Sequence, residues 1–187
     1  MATYSVLKAS RLWVNTHDRW FLLTCAVIYE VFLIIKIEIA NPAEIVTISK
    51  KIPEFEQKKT LKQLKSKLDG VVNLILVAKV NGELVGFKVG YQLTEDTFYS
   101  WLGGIIPEYR NCGIATLLLN YQEKWASNSG YKTIKVKSMN RFPTMVNLLF
   151  SNGYEVEETG KSVNNSKGKI LFSKNLGVTK DINGSSA

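Results

Sequence analysis

At 187 residues the chain is long enough for one ordinary α/β domain and too short for two with full cores. A hydrophobic content of 45% can fill such a core and excludes wholesale disorder. Cys25, Cys112 and the single His17 make neither a disulfide framework nor a zinc site and fit a reducing, cytoplasmic setting, while a net charge of +8 suggests either attraction to anions or a solvated face.

Residues 1–19 show no clear periodicity. Residues 20–35, WFLLTCAVIYEVFLII, form the most apolar run and follow Lys8, Arg11 and Arg19. A membrane role for this run is not favoured. It falls short of the roughly 20 apolar residues a spanning helix needs, Glu30 interrupts it, and no small-residue cleavage site follows. An added element packed on the domain or on a second copy, as in a homodimer, fits better. Residues 34–40 read as the first strand of the domain. Asn41 and Pro42 then signal a helix start that runs to a break at Pro53, and a second helix reaches Leu68. Its lysines, Lys58, Lys59, Lys62, Lys65 and Lys67, lack the interleaved aromatics that read single-stranded nucleic acid, so nucleic acid is not the favoured partner.

Residues 71–80 and 83–93 read as strands joined at Asn81-Gly82, a strong tight-hairpin signal. Residues 97–106 form the next strand, rich in β-branched and aromatic residues, and Pro107 ends it. A helix starts at Ile114, where Leu117, Leu118 and Tyr121 recur at helical spacing. Residues 132–138 alternate like a half-buried strand, residues 142–151 form a late helix, and residues 154–158 and 169–173 make a closing hairpin. A polar tail follows. The domain is thus expected at residues 35–175, between an apolar extension (1–34) and that tail (176–187).

The turn between the 97–106 strand and its helix carries chemistry. The first N–H groups of a helix have no partner within it and sit at its positive end, a favourable place for phosphate or pyrophosphate. Gly113 and Ala115 allow close approach, and Arg110 and Thr116 offer further donors.

The run Ile105-Ile106-Pro107-Glu108-Tyr109-Arg110-Asn111-Cys112-Gly113-Ile114-Ala115 resembles the acyl-CoA signature of the GNAT superfamily of N-acetyltransferases, an Arg/Gln-x-x-Gly-x-Gly/Ala turn behind a strand ending in Val/Ile-x-Pro. A second block, Asn140 and then Leu148-Leu149-Phe150-Ser151-Asn152-Gly153-Tyr154, is similar to the family's late helix and the start of its next strand. The resemblance covers residues 35–174. It implies a mixed, mostly antiparallel sheet, splayed at its central strand and flanked by helices on both faces.

It also implies acetyl-CoA as cofactor and acetyl transfer to a primary amine by direct attack on the thioester, with a small-molecule or peptide amine as acceptor. An RNA-linked or protein amine, or a non-catalytic acyl-CoA-binding module, remains the alternative. Cofactor contacts are expected from Ile105, Ile106, Arg110, Asn111, Cys112, Gly113, Ile114, Ala115, Thr116 and Asn140; Asn140 is also read as a cap for the late helix. A backbone N–H of Ile105 or Ile106 would polarise the acyl carbonyl, a contribution of about 3 kcal/mol. Gly103 and Gly104 before it suit a bulge. Glu54, Phe55 and Glu56 are candidate acceptor contacts, and Glu54, Glu56, Glu95 and Asp96 are the acidic options for a base. Tyr91, Tyr99 and Trp101 shape a pocket or belong to the core. The pattern breaks at one position. The tyrosine expected to protonate the thiolate would fall at Leu149, leaving Tyr154, Tyr121 or water as substitutes.

Overall fold

The computed structural model describes residues 5–7, 33–55, 59–157 and 168–177, and within the first of these and at 33–34 the backbone alone. Among these residues eight strands form one sheet in the order β1-β2-β3-β4-β5-β6-β8-β7. The strands are β1 (Ser5–Leu7), β2 (Leu33–Ile39), β3 (Asn73–Val80), β4 (Glu83–Gln92), β5 (Thr97–Ile105), β6 (Thr133–Met139), β7 (Glu155–Val156) and β8 (Lys169–Asn175). Every neighbouring pair is antiparallel except β5–β6. The last hairpin is inserted with β8 inward, against β6, and β7 on the edge.

Local chemistry sets the elements. Asn41 caps α1 (Pro42–Ser49) in a reciprocal box with Glu44, and Thr60 caps α2 (Leu61–Leu68) in another with Gln63. Asn81 and Gly82 both take positive φ, +50° and +88°, the backbone of a two-residue hairpin turn. On one face of the sheet Phe87 stacks with Phe55 from the α1–α2 connection. On the other lies α3 (Ile114–Asn128), whose Leu118 and Gln122 approach β4 over Gly86 and Gly90. The late helix α4 (Pro143–Ser151) joins that second face through Phe150, which packs on Phe172 of β8. Among the described residues no helix is long and apolar enough to cross a membrane. The apolar run at 20–35 lies mostly outside them, as do Glu56, most of the loop at 159–168 and most of the polar tail.

Strand β5 is irregular in two places. Val89 pairs with Leu102 but Gly90 pairs with Ser100, so Trp101 is the extra residue of a β-bulge, earlier in the strand than the glycine pair suggests. Beyond Ser100, β5 has no register partner in β6, because the parallel ladder covers only Thr97–Ser100. The two strands separate there, leaving a splay at the C-terminal half of β5.

Candidate functional site

The splay and the start of α3 meet at the turn after β5. A short 3-10 turn (Pro107–Tyr109) leads to Arg110, and the chain then enters α3 through two left-handed residues, Asn111 (φ +61°) and Gly113 (φ +75°). Gly113 is the helix cap and supplies no side-chain hydrogen bond; the first helical bond is Leu117 N–H to the Gly113 carbonyl, at 3.1 Å. Among the described residues, the N–H groups of Asn111, Cys112, Gly113, Ile114, Ala115 and Thr116 find no acceptor. Six consecutive free donors around a left-handed turn at a positive helix end form a cradle for an anion.

The expected donors on β5 can be sorted by ladder geometry. Ile106 N–H donates to the Val85 carbonyl at 2.9 Å. Paired residues of an antiparallel ladder alternate between exchanging both bonds and exchanging none. Ile106 and Gly104 therefore turn their amides to β4, and Gly103 and Ile105 turn theirs into the splay. Arg110 Nε reaches the Ile105 carbonyl at 3.2 Å, which marks the same direction. This is a correction for Ile106, whose N–H is already engaged. Ile105 keeps its place as a donor to the splay, and Gly103, read from the sequence only as a small residue, joins it.

Arg110 does not point to the cradle. Its two terminal nitrogens bind both oxygens of Glu54, each at 2.7 Å. The guanidinium thus ties the α1–α2 connection to the turn, while the Arg110 N–H is bound to the Pro107 carbonyl at 3.2 Å. The hydrogen bond from Arg110 holds the Glu54 carboxyl below its ordinary value, against a smaller opposing effect of burial. An acid so paired is a poor general base, which corrects the expectation for Glu54. Cys112 is half-buried and free of disulfide, with its thiol donating to the Arg110 carbonyl at 3.4 Å.

Most of the remaining expected residues have partners of their own or are buried. Asp96 pairs with Lys132 at 3.1 Å, and it and Glu95 precede β5, about 30 Å of strand from Ile105. Asn140 is exposed and does not cap α4, whose cap is Phe142; its N–H bonds the Gly168 carbonyl at 3.1 Å. Tyr91 packs edge-on against Tyr99 and Trp101, with Lys67 of α2 over its ring, so the three aromatics cover the α2 face of the sheet. Leu149 is fully buried. Tyr154 is 2% exposed, and its hydroxyl is sealed in the core without a well-formed hydrogen bond. Burial, and then the neighbouring Glu123 carboxylate, push that hydroxyl far above the ordinary tyrosine range. Glu123 stands nine residues along α3 from Ile114, about 14 Å of helix. Sealed in the core, the Tyr154 hydroxyl does not fill the role expected of it.

The acetyltransferase (GNAT) family model matches residues 43–147, more than half of the chain. The chain belongs to the GNAT acetyltransferase family. Solved GNAT-type structures share its fold at low identity. A GNAT-family protein from Desulfovibrio desulfuricans superposes with a TM-score of 0.65 at 11% identity, over 76% of this chain and 99% of that one. The ribosomal-protein-S18-alanine N-acetyltransferase of Escherichia coli gives 0.63 at 13% identity, over 79% and 97%. The yncA protein of Salmonella typhimurium, solved with its cofactor acetyl-CoA, gives 0.61 at 14% identity, over 76% and 94%. The cradle and the splay of this GNAT chain both fall inside the matched region.

Proposed function

We propose that the chain transfers an acetyl group from acetyl-CoA to a primary amine by direct attack of the amine on the thioester. The observation that carries this reading is the run of six unpaired N–H groups from Asn111 to Thr116, set beside a splay that exposes backbone donors at Gly103 and Ile105. These residues fit the cofactor: the cradle suits its pyrophosphate, and the open edge of β5 suits an extended amide chain that pairs like a strand. Acetyl-CoA, when bound, supplies an activated acyl carbon. Ile105 or Gly103 N–H then polarises the carbonyl, and the Arg110–Glu54 bracket keeps the turn in place. With Glu54 tied to Arg110, water takes the amine proton.

Calorimetry with CoA, followed by thiol release from acetyl-CoA across a panel of amines, tests the reading. The panel should include peptide N-termini, since the Escherichia coli neighbour is named for acetylating an alanine of a ribosomal protein. Binding with turnover on some amine is expected. Binding without turnover on any would favour an acyl-CoA-binding module, a second reading prompted by Leu149 in the usual tyrosine position. No binding would remove both.

A further inference from the structure

Lys88 has an unusual position for a lysine. It sits in mid-β4 on the α3 face, between Gly86 and Gly90, over which Leu118 and Gln122 close down. It is 6% exposed, and it makes no hydrogen bond or ion pair among the described residues. That small exposed fraction is the opening left to it. The side chain runs towards β5, with Cγ 3.7 Å from where a Cβ on Gly103 would stand. Gly103 is itself exposed, and its amide faces the splay. Lys88 therefore lies beside an exposed position of β5 that carries no side chain. A buried, unpaired cation is costly to fold around, and a leucine or methionine would fill the same space without that cost. An anion arriving in the splay would give the charge its partner.

We propose, on the acetyl-transfer reading above, that Lys88 receives the departing CoA thiolate, its ammonium giving a proton to sulfur as the carbon–sulfur bond breaks. The amine nitrogen bonds to the acyl carbon, the tetrahedral intermediate collapses, and the electron pair of the broken bond goes to sulfur. Sulfur takes the Lys88 proton, the new amide loses one to water, and water reprotonates Lys88. Lys88 thus does on β4 what the family's tyrosine would do from the position held by Leu149, on the same face of the sheet.

Proton affinities suit the step. Burial lowers the Lys88 ammonium to about 8, opposed by the Glu123 carboxylate, which makes it a better proton donor to an alkyl thiolate than an ordinary lysine. Glu123, itself bound by Lys174, is the charged group facing Lys88 from α3; Gln122 beside it is neutral, and Leu76 on β3 and Gly103 on β5 bring no charge.

The test is a titration of CoA bound to the full chain, followed by thiolate ultraviolet absorbance. In the wild type the bound thiol should ionise at lower pH than free CoA, and in Lys88→Met it should return to the free value or above. Lys88→Arg should keep much of the shift. With any acceptor found, Lys88→Met should lose roughly a hundredfold or more in kcat, with KM for acetyl-CoA little changed. An unshifted bound thiol in the wild type would overturn the proposal even if Lys88→Met failed to fold. Equal thiol titrations in the wild type and a folded Lys88→Met would also overturn it. So would a stable acetyl group on Lys88 after incubation with acetyl-CoA alone, which would make it a nucleophile. Absence of any CoA binding would instead remove the acyl-CoA reading, and this proposal with it.

Discussion

Gly113 holds φ at +75°, and a side chain there meets both backbone strain and the cradle. Gly113→Asp adds bulk and negative charge beside the free N–H groups. CoA affinity should fall at least tenfold, about 1.4 kcal/mol, and calorimetry on a folded variant with unchanged affinity would refute the placement. Glu54 leads to a pH prediction. Its carboxyl is held below its unfolded value, so the stability it contributes is present above the ordinary carboxylate value of about 4.3 and is lost as pH falls through the lowered one. The pair is well exposed and worth at most about 1 kcal/mol. The readout is therefore local: the protection of the Ile52 and Phe55 amides, taken relative to the intrinsic exchange rate at each pH, should fall on acidification in the wild type and be low at neutral pH in Glu54→Gln. A neutral-pH rate in Glu54→Gln equal to the wild type would dismiss the bracket.

At the scale of elements, the approach of α3 to the sheet depends on missing side chains. A Cβ on Gly90 would stand 2.3 Å from Phe98 Cε1 and 2.9 Å from Gln122 Nε2. Gly90→Ala should therefore destabilise the fold by about 1–3 kcal/mol through overpacking, and urea denaturation with an unchanged midpoint would contradict it. Such close approaches separate what was legible in the sequence from what was not. Asn41, the Asn81-Gly82 turn and the Asn111–Thr116 cradle act through local backbone chemistry, so each could be read from a few adjacent residues. The bulge at Trp101 could not be, because it is defined by a register with β4. Nor could the Arg110–Glu54 bracket, whose partners are 56 residues apart. The unsuitability of Tyr154 as an acid has the same origin: its position after a matched glycine was visible, its neighbour Glu123 was not. Lys88 left one faint signal, a charge inside an otherwise apolar stretch from Leu84 to Val89.

At the scale of the molecule, the sheet is two antiparallel blocks, β1–β5 and β6–β8, joined by one parallel seam of four register pairs and spanned by α3. A cofactor in the splay would touch both blocks. CoA at a hundred times its Kd should raise unfolding stability by about 2.7 kcal/mol, and amide exchange should slow in β5 and β6 together. Slowing confined to the α3 turn would mean that the ligand rests on the cradle alone.

The seam also fixes an order of events as the chain folds. Val80 and Glu83 pair across three residues, whereas Thr97 and Thr133 must close a loop of 36 before their ladder returns any energy. The β3–β4 hairpin is then expected in the folding nucleus and the seam after the rate-limiting barrier. Val77→Ala, in the hairpin, should mainly slow refolding, and Val136→Ala, in the seam, should mainly speed unfolding. Stopped-flow chevrons in which the two substitutions act on the opposite limbs would reverse that order.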